Sequence, residues 1–219
     1  MYSNSACALS GASGLSFSII ASRPALLNVD ARFFFNQASW VLSLLISVYN
    51  SLTCFSCAAV WAVDDIAFGT GPIIRPQDLR KFIFPWYEEF GKICHDHGLY
   101  FFFHTDGVVW DLVEDLIALG VDALHPIDPT CMDIVAVKCK VGERLTLIGN
   151  ISNQLLEEGT PAEVTALTQQ RLREVAPGGG YCLGSGNSVP DWAKIENYKA
   201  MITTALQYGR YPISIQQTT

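Results

Sequence analysis

The sequence predicts an α/β fold of about five parallel βα units, preceded by an irregular N-terminal segment. Three observations support this prediction. Five short apolar runs lie between residues 59 and 184, helical patterns separate them, and no hairpin turn joins one run to the next. Strands that alternate with helices in this way form a parallel sheet with right-handed crossovers.

The first predicted unit begins with the apolar run 59–63, which stops at two aspartates as a buried parallel strand would. Helical spacing then continues from 76 to 97, where Pro85 must kink or divide the helix because it has no amide hydrogen. The helix at 160–175 begins with Thr160, Pro161 and Glu163, which is the pattern of a capping box. The remaining predicted elements are strands 99–103, 121–124, 145–149 and 181–184 and helices 109–119, 132–140 and 195–208.

Composition excludes some classes of protein. The net charge of −7 and the pI near 5.0 argue against a nucleic-acid surface, which requires clustered basic residues. Seven irregularly spaced cysteines are typical of reduced thiols in a cytoplasmic protein. Cys54 and Cys57 form a C-x-x-C pair, but no second pair occurs later in the chain, so we interpret them as structural.

The chain divides into an unrecognised Ser-rich segment (1–57), a βα region (58–212) and a tail (213–219). The first 63 residues hold 12 of the 16 serines and only three of the 35 charges, so their composition differs sharply from that of the other 156 residues. The stretch 40–63 is long enough to cross a bilayer. It is diluted by Ser, Thr and Asn and has no basic flank, so we do not expect a membrane span.

Polar side chains follow every predicted strand. One such residue more often caps a helix or shapes a turn, but five in succession, with two histidines among them, predict a shared site at the carboxyl edge of the sheet. The residues are Asp64 and Asp65, His104 and Asp106, His125 and Asp128, Asn150 and Ser152, and Ser185 and Asn187.

Several of these strand ends resemble the uroporphyrinogen decarboxylase superfamily. The similar motifs run in order from Ala58 over about 155 residues: 64–72, 84–87, 104–107, 149–151, 159–163, 177–181, 185–188, 196–197 and 208–209. The resemblance implies a TIM-type (β/α) barrel. It also implies either cofactor-free decarboxylation of uroporphyrinogen acetates or zinc-dependent methyl transfer between a corrinoid and a thiol.

The chain departs from both catalytic patterns. The Arg-rich segment that binds propionates in the decarboxylases is not found, and Ser185 stands where they carry a histidine. The methyltransferases bind zinc with a His-x-Cys pair and a later Cys. Here the pair reads His104-Thr105-Asp106, and Asn187 falls near the position of the later Cys. These oxygen and nitrogen ligands are harder than thiolates.

We therefore predict a uroporphyrinogen decarboxylase-like lyase of porphyrin metabolism, with weak or no activity. The alternatives are a metal-dependent, corrinoid-linked methyltransferase relative and a non-catalytic barrel fragment. Predicted catalytic residues are Asp65, His104, Asp106 and Asn187; predicted substrate-binding residues are Asp64, His125, Asn150 and Ser185. In the methyltransferase alternative, His104 and Asp106 bind zinc or another divalent metal; the decarboxylase needs no cofactor.

Two further expectations concern the site and the assembly. Carboxylates beside His104 would favour its protonated form, whereas a bound metal would need the neutral ring; Asp106 would instead cap helix 109–119 if its role were structural. A complete barrel takes roughly 250 residues and eight strands. Because five strands leave open sheet edges, we expect pairing with another chain as a homo-oligomer. The expected partner is otherwise a small molecule, a tetrapyrrole or a methyl donor.

Overall fold

The computed structural model describes residues 57–213, with side chains from residue 58, and the backbone of two N-terminal strands. Its main sheet has seven strands among the described residues: β1 (Ser5–Ser10), β2 (Ser16–Ala21), β3 (Cys57–Val63), β6 (Tyr100–His104), β7 (Ala123–His125), β8 (Thr146–Ile151) and β9 (Tyr181–Ser185). They lie side by side in this order. Two short strands, β4 (Ala67–Phe68) and β5 (Gly71–Pro72), form a separate antiparallel pair.

Five strands, β3, β6, β7, β8 and β9, are parallel and lie in chain order, which confirms the predicted partial TIM-type fold. The antiparallel hairpin that β1 and β2 form beside β3 was not predicted from the sequence. The other residues of the 1–57 segment, including Cys54, lie outside the described residues, as does most of the 40–63 stretch. No helix in the described part of the chain is long and apolar enough to cross a membrane.

The helices between the strands lie near their predicted positions. They span Pro76–Asp78, Phe84–Asp96, Val113–Ala118, Ile134–Val141, Asn153–Glu158, Pro161–Glu174 and Ile195–Tyr208. A wide π-helical turn, Leu79–Ile83, precedes Pro85, whose missing amide hydrogen disrupts the regular hydrogen-bond pattern there. The short helix Asn153–Glu158 was not predicted; Ser152 caps it through a hydrogen bond from the Leu155 N–H.

The two faces of the sheet are covered unequally. Phe101 and Phe103 of β6 are completely buried, and Tyr87 and Phe90 of the helix Phe84–Asp96 make edge-to-face ring contacts with them. On the opposite face of the same strand, 60% of Tyr100 is exposed. Because side chains alternate along a strand, His104 lies on the face of Tyr100, away from the helices.

Candidate functional site

The carboxyl ends of β3 and β6 are held together by hydrogen bonds that backbone amides donate. Asp64 N–H donates to the His104 carbonyl over 3.0 Å, and Ile66 N–H donates to the Thr105 hydroxyl oxygen, also over 3.0 Å. Gly107 has φ +89°, and a Cβ there would lie 2.5 Å from the Phe68 carbonyl oxygen. Only glycine allows this close approach, so the loops after the two strands pack directly against each other.

This packing brings Asp65, His104 and Asp106 into one cluster. The Asp106 amide N–H donates to Asp65 Oδ1 over 2.9 Å, and the same oxygen lies 3.9 Å from His104 Nε2. One oxygen or nitrogen atom from each residue lies within 4.8 Å of the others. Asp106 does not cap the following helix, whose N-cap is Leu112 and has no side-chain cap hydrogen bond.

Asn187 reaches the cluster from β9, the strand at the far end of the row of parallel strands. It follows β9, and its amide donates to Asp106 Oδ2 over 2.6 Å. Among the described residues, the buried second oxygen, Asp106 Oδ1, has no hydrogen-bond partner. Burial raises the pKa of Asp106, and His104 opposes this. One oxygen of the carboxylate is therefore fixed by Asn187, and the other is buried without a hydrogen-bond partner among the described residues.

His104 and His125 end neighbouring strands and form a pair. Their Nδ1 atoms are 2.7 Å apart, and their rings are tilted by 31° with centroids 4.9 Å apart. Burial lowers the pKa of His104, although Asp106 and Asp65 act in the opposite direction. The two carboxylates thus favour the protonated ring as expected, but burial of the imidazole outweighs their effect on its pKa. Burial, together with His104, lowers the pKa of His125 to about 4.

The other predicted site residues are engaged elsewhere. Asp64 accepts a hydrogen bond from the Tyr87 hydroxyl, and burial raises the pKa of Asp64. The Ser185 hydroxyl donates to the Asn187 carbonyl over 2.6 Å and so shapes the loop after β9. Asn150 is buried, with its amide between the Ile127 carbonyl at 2.6 Å and Arg171 Nε at 2.7 Å. Its polar atoms are therefore directed to structural partners and not to the Asp65–His104–Asp106 cluster.

Sequence reasoning missed two neighbours of the site. Trp61 of β3 makes an edge-to-face contact with His125, with ring centroids 5.1 Å apart. Trp61 lies four residues before Asp65, so both side chains fall on the same face of an extended chain, and this spacing could have indicated that Trp61 lies near the site. Cys131 donates to Asp128 Oδ2 over 3.3 Å, and burial raises the pKa of its thiol. Nothing in the sequence distinguished this cysteine from the other six.

The cluster has the character of a divalent-cation site. Two carboxylates and one imidazole suit Mn²⁺ or Zn²⁺ better than a soft ion that needs thiolates. The unpartnered Asp106 Oδ1 also fits, because a buried carboxylate oxygen without a donor is costly unless something else satisfies it. The residues present therefore fit a metal, with oxygen and nitrogen ligands in place of sulfur.

The fold and the cluster define a parallel βα protein with a polar site at the carboxyl edge of its sheet. A family profile described as Uroporphyrinogen decarboxylase (URO-D) matches residues 41–208, which is more than half of the chain. The chain belongs to the uroporphyrinogen decarboxylase family. The match begins before Ala58, where the resemblance seen in the sequence starts.

A solved structure, a methyltransferase from Methanosarcina mazei, has a similar fold. The TM-score is 0.62 with 19% sequence identity, and the alignment covers 77% of this chain and 47% of that chain. At this identity the likeness concerns the fold alone. The chain spans about half the length of that methyltransferase. The comparison with curated proteins gave no match.

Proposed function

We propose that the chain binds one divalent cation through Asp65, His104 and Asp106, and that this site serves methyl transfer to a small nucleophile. The observation that carries the proposal is the approach of one ligand atom from each residue to within 4.8 Å of the others. Asp106 Oδ1, buried without a partner among the described residues, supports it further. Both decarboxylation and methyl transfer occur in the superfamily that the motifs resemble, and the ligand cluster favours the second.

The residues of the chain have separate tasks in this proposal. A bound divalent cation lowers the pKa of a thiol or hydroxyl that it contacts. Asp65, whose side chain is 53% exposed, can accept the proton that the nucleophile releases. Asn187 holds Asp106 in place through its 2.6 Å hydrogen bond. A corrinoid-bound methyl group would supply the carbon: as the nucleophile bonds to it, the bond from that carbon to the corrinoid would break and its electron pair would stay with the corrinoid.

The ligand set suggests which ion and which nucleophile to test. A site without thiolates is harder than the zinc sites that the resemblance implies, and its two carboxylates neutralise the charge of a divalent ion. We therefore infer that Mn²⁺ and Zn²⁺ both bind, and that the substrate is a small thiol or alcohol. The donor would be a corrinoid-bound methyl group.

A metal titration tests the proposal. Isothermal titration with Mn²⁺ and Zn²⁺ should give one site in the wild type, and affinity should fall by about 100-fold or more in His104→Ala because one ligand of three is lost. His97→Ala is the matched control, since His97 is a histidine at the end of the helix Phe84–Asp96 that contacts the Ile93 carbonyl. Equal affinity in all three proteins would contradict the proposal.

Decarboxylation of uroporphyrinogen is the second candidate, favoured by the family match and by the raised pKa of Asp106. In that reaction the bond from an acetate carbon to its carboxylate breaks, CO₂ leaves, and an acid returns a proton to the carbon. A protonated Asp106 could supply it. The propionates of this substrate would need arginines, and four arginines of the described region already bind other residues of the chain. They are Arg75 with Asp78, Arg80 with Asp115, Arg144 with Glu114, and Arg171 with Asn150 and Glu174.

We therefore expect little decarboxylation. Purified chain incubated with uroporphyrinogen should release CO₂ far more slowly than a full-length family enzyme under the same conditions. A comparable rate that resists a chelator and falls in Asp106→Asn would establish the decarboxylase and overturn methyl transfer.

A further inference from the structure

A cavity lies at the amino-terminal edge of the parallel strands, at the opposite end from the Asp65–His104–Asp106 cluster. Its volume is about 900 Å³, which is within the range of small-molecule sites. The starts of β6, β8 and β9 line it, together with the end of the helix Ile134–Val141. Because the active sites of (β/α) barrels lie at the carboxyl edge, this cavity is separate from the candidate metal site.

Two aromatic side chains form one wall of the cavity. The rings of Tyr100 and Phe102 are stacked with centroids 6.5 Å apart, and Tyr100 is mostly exposed. The strand register places Thr146 and Cys182 on the same face of the sheet as these rings. Tyr100 and Phe102 are called the aromatic wall below. A pair of stacked rings beside a cavity favours a ligand with a planar ring.

Five charged side chains also line the cavity: Asp122, Lys138, Lys140, Glu143 and Arg144. Arg144 donates two hydrogen bonds to Glu114. The ammonium of Lys140 lies over the Trp110 ring, 5.2 Å from its centroid. Asp122 accepts hydrogen bonds from a histidine ring and from a backbone amide. Lys138 and Glu143 therefore carry the charges that a ligand would meet.

The backbone holds Lys138 at the edge of the cavity. Its Nζ donates to the Gly179 carbonyl over 2.5 Å and to the Gly142 carbonyl over 3.3 Å. Gly180, with φ +64°, leaves room for the ammonium, because a Cβ there would lie 3.2 Å from Nζ. An ammonium has three N–H donors, and the described residues use two of them. The third is left for an anionic group of a ligand.

Glu143 supplies the opposite charge in the same cavity. Within the described part of the chain, no hydrogen bond or ion pair engages its carboxylate. Burial lowers the pKa of Lys138, and the charge of Glu143 opposes this. The two groups are therefore near each other without forming a direct ion pair.

We propose that the cavity binds a small zwitterion with an aromatic ring, of the chemical class of the aromatic amino acids. Lys138 binds the carboxylate of the ligand, Glu143 binds its ammonium group, and the aromatic wall packs against its ring. A simple anion would meet the charge of Glu143, and a simple cation that of Lys138, so the pair discriminates against both. This inference is independent of the proposed cation site.

Calorimetry of the whole chain with three related probes tests the two charges. L-Phenylalanine should bind about 10-fold or more tightly than 3-phenylpropionate, which lacks the ammonium, and 2-phenylethylamine, which lacks the carboxylate. In Lys138→Met, L-phenylalanine should lose its advantage over 2-phenylethylamine. In Glu143→Gln it should lose its advantage over 3-phenylpropionate. Equal affinity for the three probes, or no binding of L-phenylalanine, would overturn the proposal.

Lys194→Met is the matched control for the lysine variant. Lys194 also donates to two backbone carbonyls, those of Glu158 and Gly159, but it does not line the cavity. This variant should bind the three probes as the wild type does. The same loss in Lys194→Met and Lys138→Met would contradict a specific role for Lys138.

Alkylation of cysteines locates the ligand and uses only the wild-type chain. The thiol of Cys182 is exposed and lines the cavity, whereas Cys131 lies at the carboxyl edge beside Asp128. L-Phenylalanine should slow the reaction of Cys182 with N-ethylmaleimide, measured by mass spectrometry, and leave that of Cys131 unchanged. Binding that leaves Cys182 unprotected, or protects both cysteines equally, would overturn the proposal even if Lys138→Met does not fold.

Discussion

The ends of β6 and β8 carry polar residues that look equivalent in the sequence but have opposite surroundings. After β6, His104 and Asp106 meet residues from β3, β7 and β9, and one carboxylate oxygen is left without a partner among the described residues. In β8, Asn150 has both its amide nitrogen and its amide oxygen bound to the protein. A polar residue at a strand end thus belongs to a site only when its atoms are left for a ligand.

Replacement of Asn150 tests the structural side of this comparison and should have the largest effect. Asn150→Ala leaves the buried Ile127 carbonyl without its donor, removes the acceptor of Arg171, and places alanine at φ 76°. We expect the free energy of unfolding, measured with urea, to fall by about 3 kcal/mol.

Asn150→Gly is the matched control for the backbone. It loses the same hydrogen bonds but tolerates positive φ, so it should be about 1 kcal/mol more stable than Asn150→Ala. Affinity for Mn²⁺ should change little in either folded variant. A loss of metal binding with unchanged stability would place Asn150 in the site and break the comparison.

The pH dependence of stability tests the burial of His125 beside the Asp65–His104–Asp106 cluster. The pKa of His125 is lowered to about 4 in the folded protein, whereas the ordinary value is 6.5, so the unfolded chain binds the proton more readily between these values. Stability from this group is fully present above pH 6.5 and is lost as the pH falls towards 4, by up to about 3 kcal/mol.

Urea unfolding at several pH values measures this, with His125→Asn as the reference that removes the titrating ring. The difference in unfolding free energy between the two proteins should shrink as the pH falls through that window. A difference that is constant from pH 7 to pH 4 would mean that His125 is not buried as a neutral ring.

Asn187 should give the smallest effect, because it holds a carboxylate and is not among the three proposed ligands. Asn187→Ala removes the 2.6 Å hydrogen bond to Asp106 Oδ2 and frees the carboxylate to rotate. We expect Mn²⁺ affinity to fall by about fivefold, equivalent to about 1 kcal/mol. Titration calorimetry beside Ser188→Ala, which keeps the Asp106 contact, would reveal this; an equal loss in both would instead indicate a general change in the loop after β9.

The parallel order of β3, β6, β7, β8 and β9 could be predicted because each apolar run ends abruptly in polar residues. The antiparallel pairing of β1 and β2 was missed although Gly11, Ser13 and Gly14 between them are typical turn residues, because the Ser-rich composition of the segment indicated irregular structure. Residue spacing indicated that His104 and Asp106 would share an edge with Asp65. It could not show that Asn150 has φ 76° and meets Arg171, because that contact joins residues 21 apart through a helix.

The protonation of His104 also lay beyond sequence reasoning. The sequence showed aspartates near His104, and a neighbouring carboxylate raises the pKa of an imidazole. The extent of burial, which depends on how β3, β6 and β7 pack, decides the outcome and lowers the pKa of His104. The direction in which the carboxylates shift the pKa of His104 could thus be predicted from the sequence. Whether the carboxylates or burial would have the larger effect could not.

The hydrogen bond from Cys131 to Asp128 has a consequence for oxidation chemistry. Thiols react with peroxides and alkylating agents as thiolates, and burial, with the nearby carboxylates of Asp128 and Asp106, keeps this thiol protonated. The thiol of Cys139, on the helix Ile134–Val141, is exposed. An oxidant would therefore modify the outer helix layer first and leave the sulfur beside the carboxyl edge intact.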